Sequence, residues 1–113
     1  MIYLASPYTH PDPDVRAKRY LAVCREVARL VRDGHVVFSP IAHSHGVCVH
    51  GGLPLDWSFW WPIDTEFLRR CDELWILMLD GWQESHGVQA EMEIARRMGK
   101  EIRMVAPQTE VET

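Results

Sequence analysis

LWILMLDGWQESHGVQAEMEIA, residues 74–95, is the stretch that decides the fold. Its first six residues, Leu74 to Leu79, form a continuous apolar run, which is typical of a strand buried on both faces of a parallel sheet. Ser85 stands where a helix N-cap is expected, and the apolar spacing after it predicts a helix from about His86 to Met98. The stretch therefore predicts a buried parallel strand that leads through a short loop into an amphipathic helix.

Glu91 has an unusual position on this predicted helix. At about 100° per residue, Glu91 lies near the middle of the apolar face, whereas Glu93 points to solvent. A carboxylate in an apolar stripe is costly unless it has a partner or a use. The helical wheel alone leaves two interpretations open: Glu91 lies at the edge of the face and pairs with an arginine, or it is functional. Its place one turn into a helix after a parallel strand favours function, because α/β proteins bind ligands in that crevice.

Strand and helix patterns alternate along the rest of the chain. Residues 39–53 show neither period and carry three histidines and three glycines, so we expect a long functional loop there. The alternation predicts an α/β fold, with a parallel sheet of four to five strands, helices on both faces and a single domain spanning residues 1–113. The other predicted elements are strands at Ile2–Ala5, His35–Phe38 and Glu101–Val105, a helix from Val15 to Asp33, and a helix from Pro54 to Arg70 that is broken or restarted at Pro62.

Composition excludes several classes of protein. The formal net charge of -4 argues against binding to a nucleic-acid polymer, which usually needs a basic surface. The three cysteines include no CxxC pair, so a disulfide framework is unexpected and a reducing cytoplasm fits better. No apolar stretch reaches the length of a membrane span, and no signal peptide is recognisable, so we expect no membrane partner.

A second carboxylate, Asp64, also falls inside the apolar face of its predicted helix, between Phe67 and Leu68 in angle. Together with Glu91 it suggests a paired-carboxylate site of the kind used for glycosyl transfer. The alternative is that Asp64 caps a helix that begins at Pro62, since aspartate is common in first turns.

Three pieces of sequence are informative in combination. They are Tyr3 in an IYLASP strand, Asp64 eight residues before Asp72 of CDELWIL, and the element Ser85-x-Gly87-Val88-x-x-Glu91. With them, roughly Met1 to Val105 resembles the nucleoside 2-deoxyribosyltransferase superfamily, which includes the 2′-deoxynucleoside 5′-monophosphate N-glycosidases. The resemblance implies a flavodoxin-like (Rossmann-like) fold, an assembly of identical chains, and a small nucleoside or nucleotide as the partner.

The resemblance also implies roles for individual residues. Glu91 would be the nucleophile that forms a covalent glycosyl-enzyme at C1′, Asp64 would donate a proton or position the nucleophile, and Tyr3 would hydrogen-bond to the nucleophile or the sugar. Ser85 and the amide of Gly87 would hold the 5′ end. The reaction would be hydrolysis of the N-glycosidic bond of a (deoxy)nucleoside 5′-monophosphate, or deoxyribosyl transfer between bases. We favour the monophosphate here, because the transferases typically have an aspartate at the position of Ser85, and serine does not repel a phosphate.

Further residues are predicted to contact the substrate. Trp82, in the loop after the apolar strand, is the preferred candidate for stacking on a base, against the alternative of ordinary core packing. The histidines of residues 39–53 lack the spacing of a zinc site, so we expect no metal and no cofactor. The residues predicted to bind substrate, besides Ser85 and Gly87, are Ser6, Tyr8, His43, His45 and Trp82.

Two other functions compete with this hypothesis. A non-catalytic nucleotide-binding or sensing module would use the same sheet edge without turnover. A receiver domain ranks last, because it needs an acidic cluster at the strand ends and only Asp80 is offered there.

Overall fold

A computed structural model describes residues 1–108 of the chain. Its elements follow the predicted alternation of strands and helices. They are β1 (Ile2–Ala5), α1 (Pro13–Arg32), β2 (Val37–Phe38), α2 (Pro40–Gly51), α3 (Trp57–Arg70), β3 (Glu73–Leu77), α4 (His86–Arg97) and β4 (Glu101–Val105).

The four strands form one parallel sheet in the order β2-β1-β3-β4. Tyr3 on β1 lies opposite Phe38 on one side and Leu74 on the other. The chain therefore moves from β1 to one neighbour and then to the opposite one. This reversal creates a crevice between the carboxyl ends of β1 and β3, which is where open α/β sheets bind ligands.

Helices cover both faces of the sheet, and the alternation of side chains along β1 shows this directly. Tyr3 and Ala5 belong to the apolar cluster under α3 and α4, whereas Leu4 belongs to the cluster under α1. All three side chains are fully buried. The predicted α/β parallel sheet with helices on both faces is confirmed, with four strands.

The expected long loop at residues 39–53 is wrong, because most of it forms the helix α2. The Ser39 hydroxyl accepts a hydrogen bond from the amide of Ala42, and Pro40 occupies the first turn, where its missing N–H costs nothing. At the other end Gly52 takes a left-handed conformation, and its amide donates to the carbonyl of Cys48. The capping signals were present in the sequence, but the glycines and histidines between them hid the helical period.

The helix α3 is not broken at Pro62 and does not restart there, because it runs without interruption from Trp57 to Arg70. Its N-cap is Asp56, whose side chain accepts from the amide of Phe59. Pro62 removes the donor for the carbonyl of Ser58, and both residues are exposed.

Two further structural findings concern membrane-spanning helices and the cysteines. Within residues 1–108, no helix combines the length and the apolar character needed to cross a membrane. Cys24, Cys48 and Cys71 are all free thiols. A cytoplasmic location stays a prediction from the sequence.

Lys100, which follows α4, connects that helix to the C-terminal end of α3. Its Nζ donates to the carbonyls of Arg69 and Cys71 at the end of α3, where the helix dipole favours a cation. We expect Lys100→Met, which keeps the aliphatic stem, to lower the free energy of unfolding by about 1–2 kcal/mol in urea denaturation. Lys18→Met on the exposed side of α1 is the control and should change it by less than about 0.5 kcal/mol. Equal effects of the two variants would contradict this role.

Candidate active site

Glu91 lies in the second turn of α4, and the burial of that helix decides where its side chain goes. Val88, Met92 and Ala95 face the core, and Glu91 shares their side, with only 7% of its surface exposed. The hydroxyl of Tyr3, on the central strand β1, donates to Oε2 of Glu91. Within residues 1–108, Oε1 has no such partner. The interpretation that Glu91 pairs with an arginine is therefore wrong, because its partner is Tyr3.

Asp64 lies in the middle of α3 and does not cap it, since Asp56 holds the N-cap position. The Asp64 side chain is partly buried, and its Oδ1 is one of the buried polar atoms that lack a hydrogen-bond partner in the described residues. Such an atom is costly unless a ligand, a proton or a water satisfies it. Asp64 therefore has the character of a functional carboxyl.

Burial raises the pKa of both carboxyls. For Asp64, loss of solvent raises the pKa to about 7. For Glu91, burial raises the pKa to about 8, with the Tyr3 hydroxyl opposing the rise and the charge of Asp64 adding to it. Near neutral pH both carboxyls are therefore partly protonated.

Both carboxyls open into one cavity of about 400 Å³ at the carboxyl ends of β1 and β3. This volume is in the range of small-molecule sites. The loop after β1, the helix α3 and the first turns of α4 supply its polar lining, while α2 and α3 supply most of its apolar lining. The apolar members are Pro40, Ile41, Leu55, Trp57, Trp60 and Trp61.

Most of the residues predicted from the sequence meet at this cavity. The predicted residues in its lining are Ser6, Tyr8, Asp64, Ser85, Gly87 and Glu91. Tyr3 stands behind Glu91 and reaches the site through it. Ser6 is 6% exposed, and its hydroxyl has no partner among the described residues, so it is a polar group available to a ligand.

Three predicted substrate contacts lie outside the cavity lining. Trp82 packs against the apolar cluster under α3 and α4, which was the alternative given for it. His43 packs its ring against Phe38 and Phe67, because α2 turns it toward the sheet instead of leaving it on a loop. His45 stacks on Tyr20.

His45 still influences the site through a lining residue. Its Nδ1 lies 2.7 Å from the hydroxyl oxygen of Tyr8, and Tyr8 lines the cavity. Burial, together with the charge of Arg16, lowers the pKa of His45. His45 is therefore placed to hold the Tyr8 side chain, one step removed from a ligand.

The tryptophans of α3 are the main feature that sequence reasoning undervalued. Trp57, Trp60 and Trp61 all line the cavity, whereas Trp82, the stacking residue predicted from the sequence, does not. A signal was present, because these residues and Asp64 follow the i, i+3, i+4, i+7 spacing of one helix face. Because Asp64 stands on that stripe, the aromatic side chains and the carboxyl point into the same space.

Within residues 1–108, no group of three or more histidine, cysteine, aspartate or glutamate side chains is arranged to hold a metal ion.

The fold has a clear relative among solved structures. The chain resembles the structure of 2-deoxyribosyltransferase from the psychrotolerant bacterium Bacillus psychrosaccharolyticus, characterised as a biocatalyst for the synthesis of antiviral and antitumoral nucleosides. The two are 23% identical, the TM-score is 0.63, and the match covers 99% of this chain and 76% of that one. At this identity the likeness shows a shared flavodoxin-like fold, as the sequence resemblance implied.

Sequence comparison identifies the family itself. None of the curated proteins compared with the chain matches it. Residues 1–106 match a family described as a domain of unknown function, DUF1937. The chain therefore belongs to the DUF1937 family, with the fold of a 2-deoxyribosyltransferase.

Proposed function

We propose that the protein cleaves the N-glycosidic bond of a nucleoside-type substrate through a covalent glycosyl ester on Glu91. The observation that carries this proposal is the meeting of Glu91 and Asp64, from two different helices, in one cavity at the switch point of the sheet. The Tyr3 hydroxyl fixes one oxygen of Glu91 and leaves the other for substrate. The fold shared with a 2-deoxyribosyltransferase supports the same class of chemistry.

The nucleophile is the ionised form of Glu91, which its pKa of about 8 leaves in the minority near neutral pH. In the first step, Oε1 of this form attacks C1′ of the sugar and forms an ester while the bond from C1′ to the base nitrogen breaks. The base leaves with the electron pair of that bond and takes a proton from Asp64. Burial suits Asp64 to this role, because a pKa of about 7 keeps much of it protonated near neutral pH.

In the second step, an acceptor attacks C1′ and releases Glu91. Asp64, now ionised, takes the proton that the acceptor loses, which restores both carboxyls. Water as acceptor completes hydrolysis, and a second base completes deoxyribosyl transfer. Adding a free base to the reaction distinguishes them, because only transfer yields a new nucleoside.

Glu91 and Glu93 provide a matched test of the nucleophile. Glu91→Gln keeps an acceptor for Tyr3 but cannot form the ester, so we expect base release to fall by at least about a thousandfold. Glu93→Gln, two residues away, removes only exposed ion pairs with Arg96 and Arg97 and should leave the rate within about twofold. Base release is measured by chromatography from a panel of deoxynucleosides and their 5′-monophosphates.

Two results would contradict the proposal. Undiminished base release by Glu91→Gln would remove Glu91 from the chemistry. If neither form releases a base while nucleotides still raise the melting temperature of both, the non-catalytic binding module takes the place of the enzyme.

The raised pKa of Glu91 also predicts how stability changes with pH. Burial lifts the pKa from 4.5 to about 8, so between these values the folded state holds a proton that the unfolded state has lost. Raising the pH from 5 to 8 therefore destabilises the folded wild type through this residue. We expect Glu91→Gln to gain about 2–4 kcal/mol in unfolding free energy relative to wild type over that interval.

Urea denaturation at several pH values measures this change, and Glu93→Gln is again the control. A difference in unfolding free energy between Glu91→Gln and wild type that stays constant with pH would show that folded Glu91 does not retain a proton above its ordinary pKa.

We also propose that copies of the chain assemble, as the resemblance to the transferase superfamily implies. Of the twelve large apolar side chains that are exposed in the described residues, six lie on α2, α3 and the segment between them, with 38% to 59% of their surface exposed. Light scattering after size exclusion should show a species larger than one chain, and a mass of one chain at micromolar concentration would contradict it. The side chains in question are Val47, Val49, Leu53, Leu55, Phe59 and Ile63.

A further inference from the structure

The first turn of α4 is packed against an aromatic side chain. A Cβ added to Gly87 would lie 3.2 Å from Cδ1 of Trp57, which is tighter than most real contacts, and 3.5 Å from Nε1, which is an ordinary contact. The ring of Trp57 also meets the ring of His86 edge-on, with 4.5 Å between centroids. Gly87 therefore permits close packing of an indole along the N-terminal turn of α4.

The neighbouring Trp61 holds this indole in place. The ring centroids of Trp57 and Trp61 lie 4.7 Å apart, and both residues line the cavity. Trp57 is thus packed between α3 and the start of α4. Its Nε1–H has no acceptor within residues 1–108, so it is a donor available to a ligand.

Some of the hydrogen-bonding groups that could hold an anion at the N-terminus of α4 already have partners within the protein. The Ser85 hydroxyl accepts from the amide of Val88, at 3.3 Å, and so serves as the helix cap. The amides of His86 and Gly87 remain in the first turn, and the Trp57 ring packs on the same turn, against the Cβ side of Gly87 and the ring of His86. A phosphate at this turn would share the cavity wall with the indole, since Trp57, Ser85, His86 and Gly87 all line the cavity.

The charges around the cavity also disfavour a phosphate. In the described residues, no lysine or arginine belongs to the cavity lining. Arg16 and Arg19, on α1, donate to backbone carbonyls of the loops after β1 and β3. A phosphate ester carries almost two negative charges at neutral pH and would meet carboxyls instead. The carboxyl residues of the lining are Asp56, Asp64, Glu84 and Glu91.

We propose that Trp57 sets the specificity of the site at the 5′ end of the sugar. Its indole fills the space beside the first turn of α4 that a 5′-phosphate needs, and its Nε1–H donates to an uncharged 5′-hydroxyl. The preferred substrate is then a nucleoside and not its 5′-monophosphate. This reverses the preference drawn from Ser85 in the sequence, and it rests on the proposed function of the same cavity.

Binding measurements in the Glu91→Gln background test this inference without turnover. Isothermal titration compares the four common 2′-deoxynucleosides with their 5′-monophosphates, in proteins that carry Trp57, Trp57→Phe or Trp57→Ala. Trp82→Phe, which alters a tryptophan outside the cavity lining, is the control.

With Trp57 present, we expect at least one nucleoside to bind about 30-fold or more tightly than its monophosphate. Trp57→Ala should reduce that ratio by about tenfold, because it uncovers the first-turn amides. Trp57→Phe keeps a ring in place, so it should preserve the ratio while weakening nucleoside binding by about three- to tenfold, through loss of the indole N–H. Trp82→Phe should change neither.

The outcomes separate this inference from the function on which it rests. Monophosphate binding as tight as nucleoside binding when Trp57 is present would overturn the inference and leave the proposed chemistry standing. A ratio that neither Trp57 variant changes would overturn the role of Trp57. If no nucleoside and no monophosphate binds, the proposed function fails as well.

Discussion

The hydrogen bond from Tyr3 to Glu91 is the interaction on which the site depends. Tyr3 is fully buried on the central strand, and its hydroxyl meets the one carboxylate that α4 turns toward the core. A buried carboxyl is costly without a partner, and this bond, together with the proton that the raised pKa retains, makes the burial of Glu91 tolerable. The sheet and the helix that carries the proposed nucleophile are thereby held in one geometry.

The helix α3 brings the other half of the site to the same crevice. One stripe of its surface carries Trp57, Trp60, Trp61 and Asp64, so the aromatic wall and the second carboxyl arrive together. Burial beside that wall raises the pKa of Asp64, which suits it to give and take a proton. The same face of α3 therefore supplies both the apolar wall of the cavity and its proposed acid–base group.

The strongly periodic parts of the chain were predictable from sequence, and the reasons are physical. The buried strand near Leu74, the cap at Ser85 and the placement of Glu91 follow from hydrophobic spacing, because burial enforces that spacing. The helix α2 was missed because its caps are ordinary but its interior is rich in glycine and histidine. The positions of His43, His45 and Trp82 depend on how α2 and the loop after β3 pack on the sheet, which one-dimensional spacing does not encode. The same limit applied to Trp57, whose contact with Gly87 joins two helices distant in sequence.

The central claim is that Glu91 becomes covalently linked to the sugar. Peptide mass spectrometry after acid quenching of a reaction with a cleavable nucleoside tests it directly. The account predicts that the peptide containing Glu91 gains the mass of one deoxyribosyl group, and that Glu91→Gln shows no gain. Base release with no adduct on any peptide, or with the adduct on Asp64, would contradict the account.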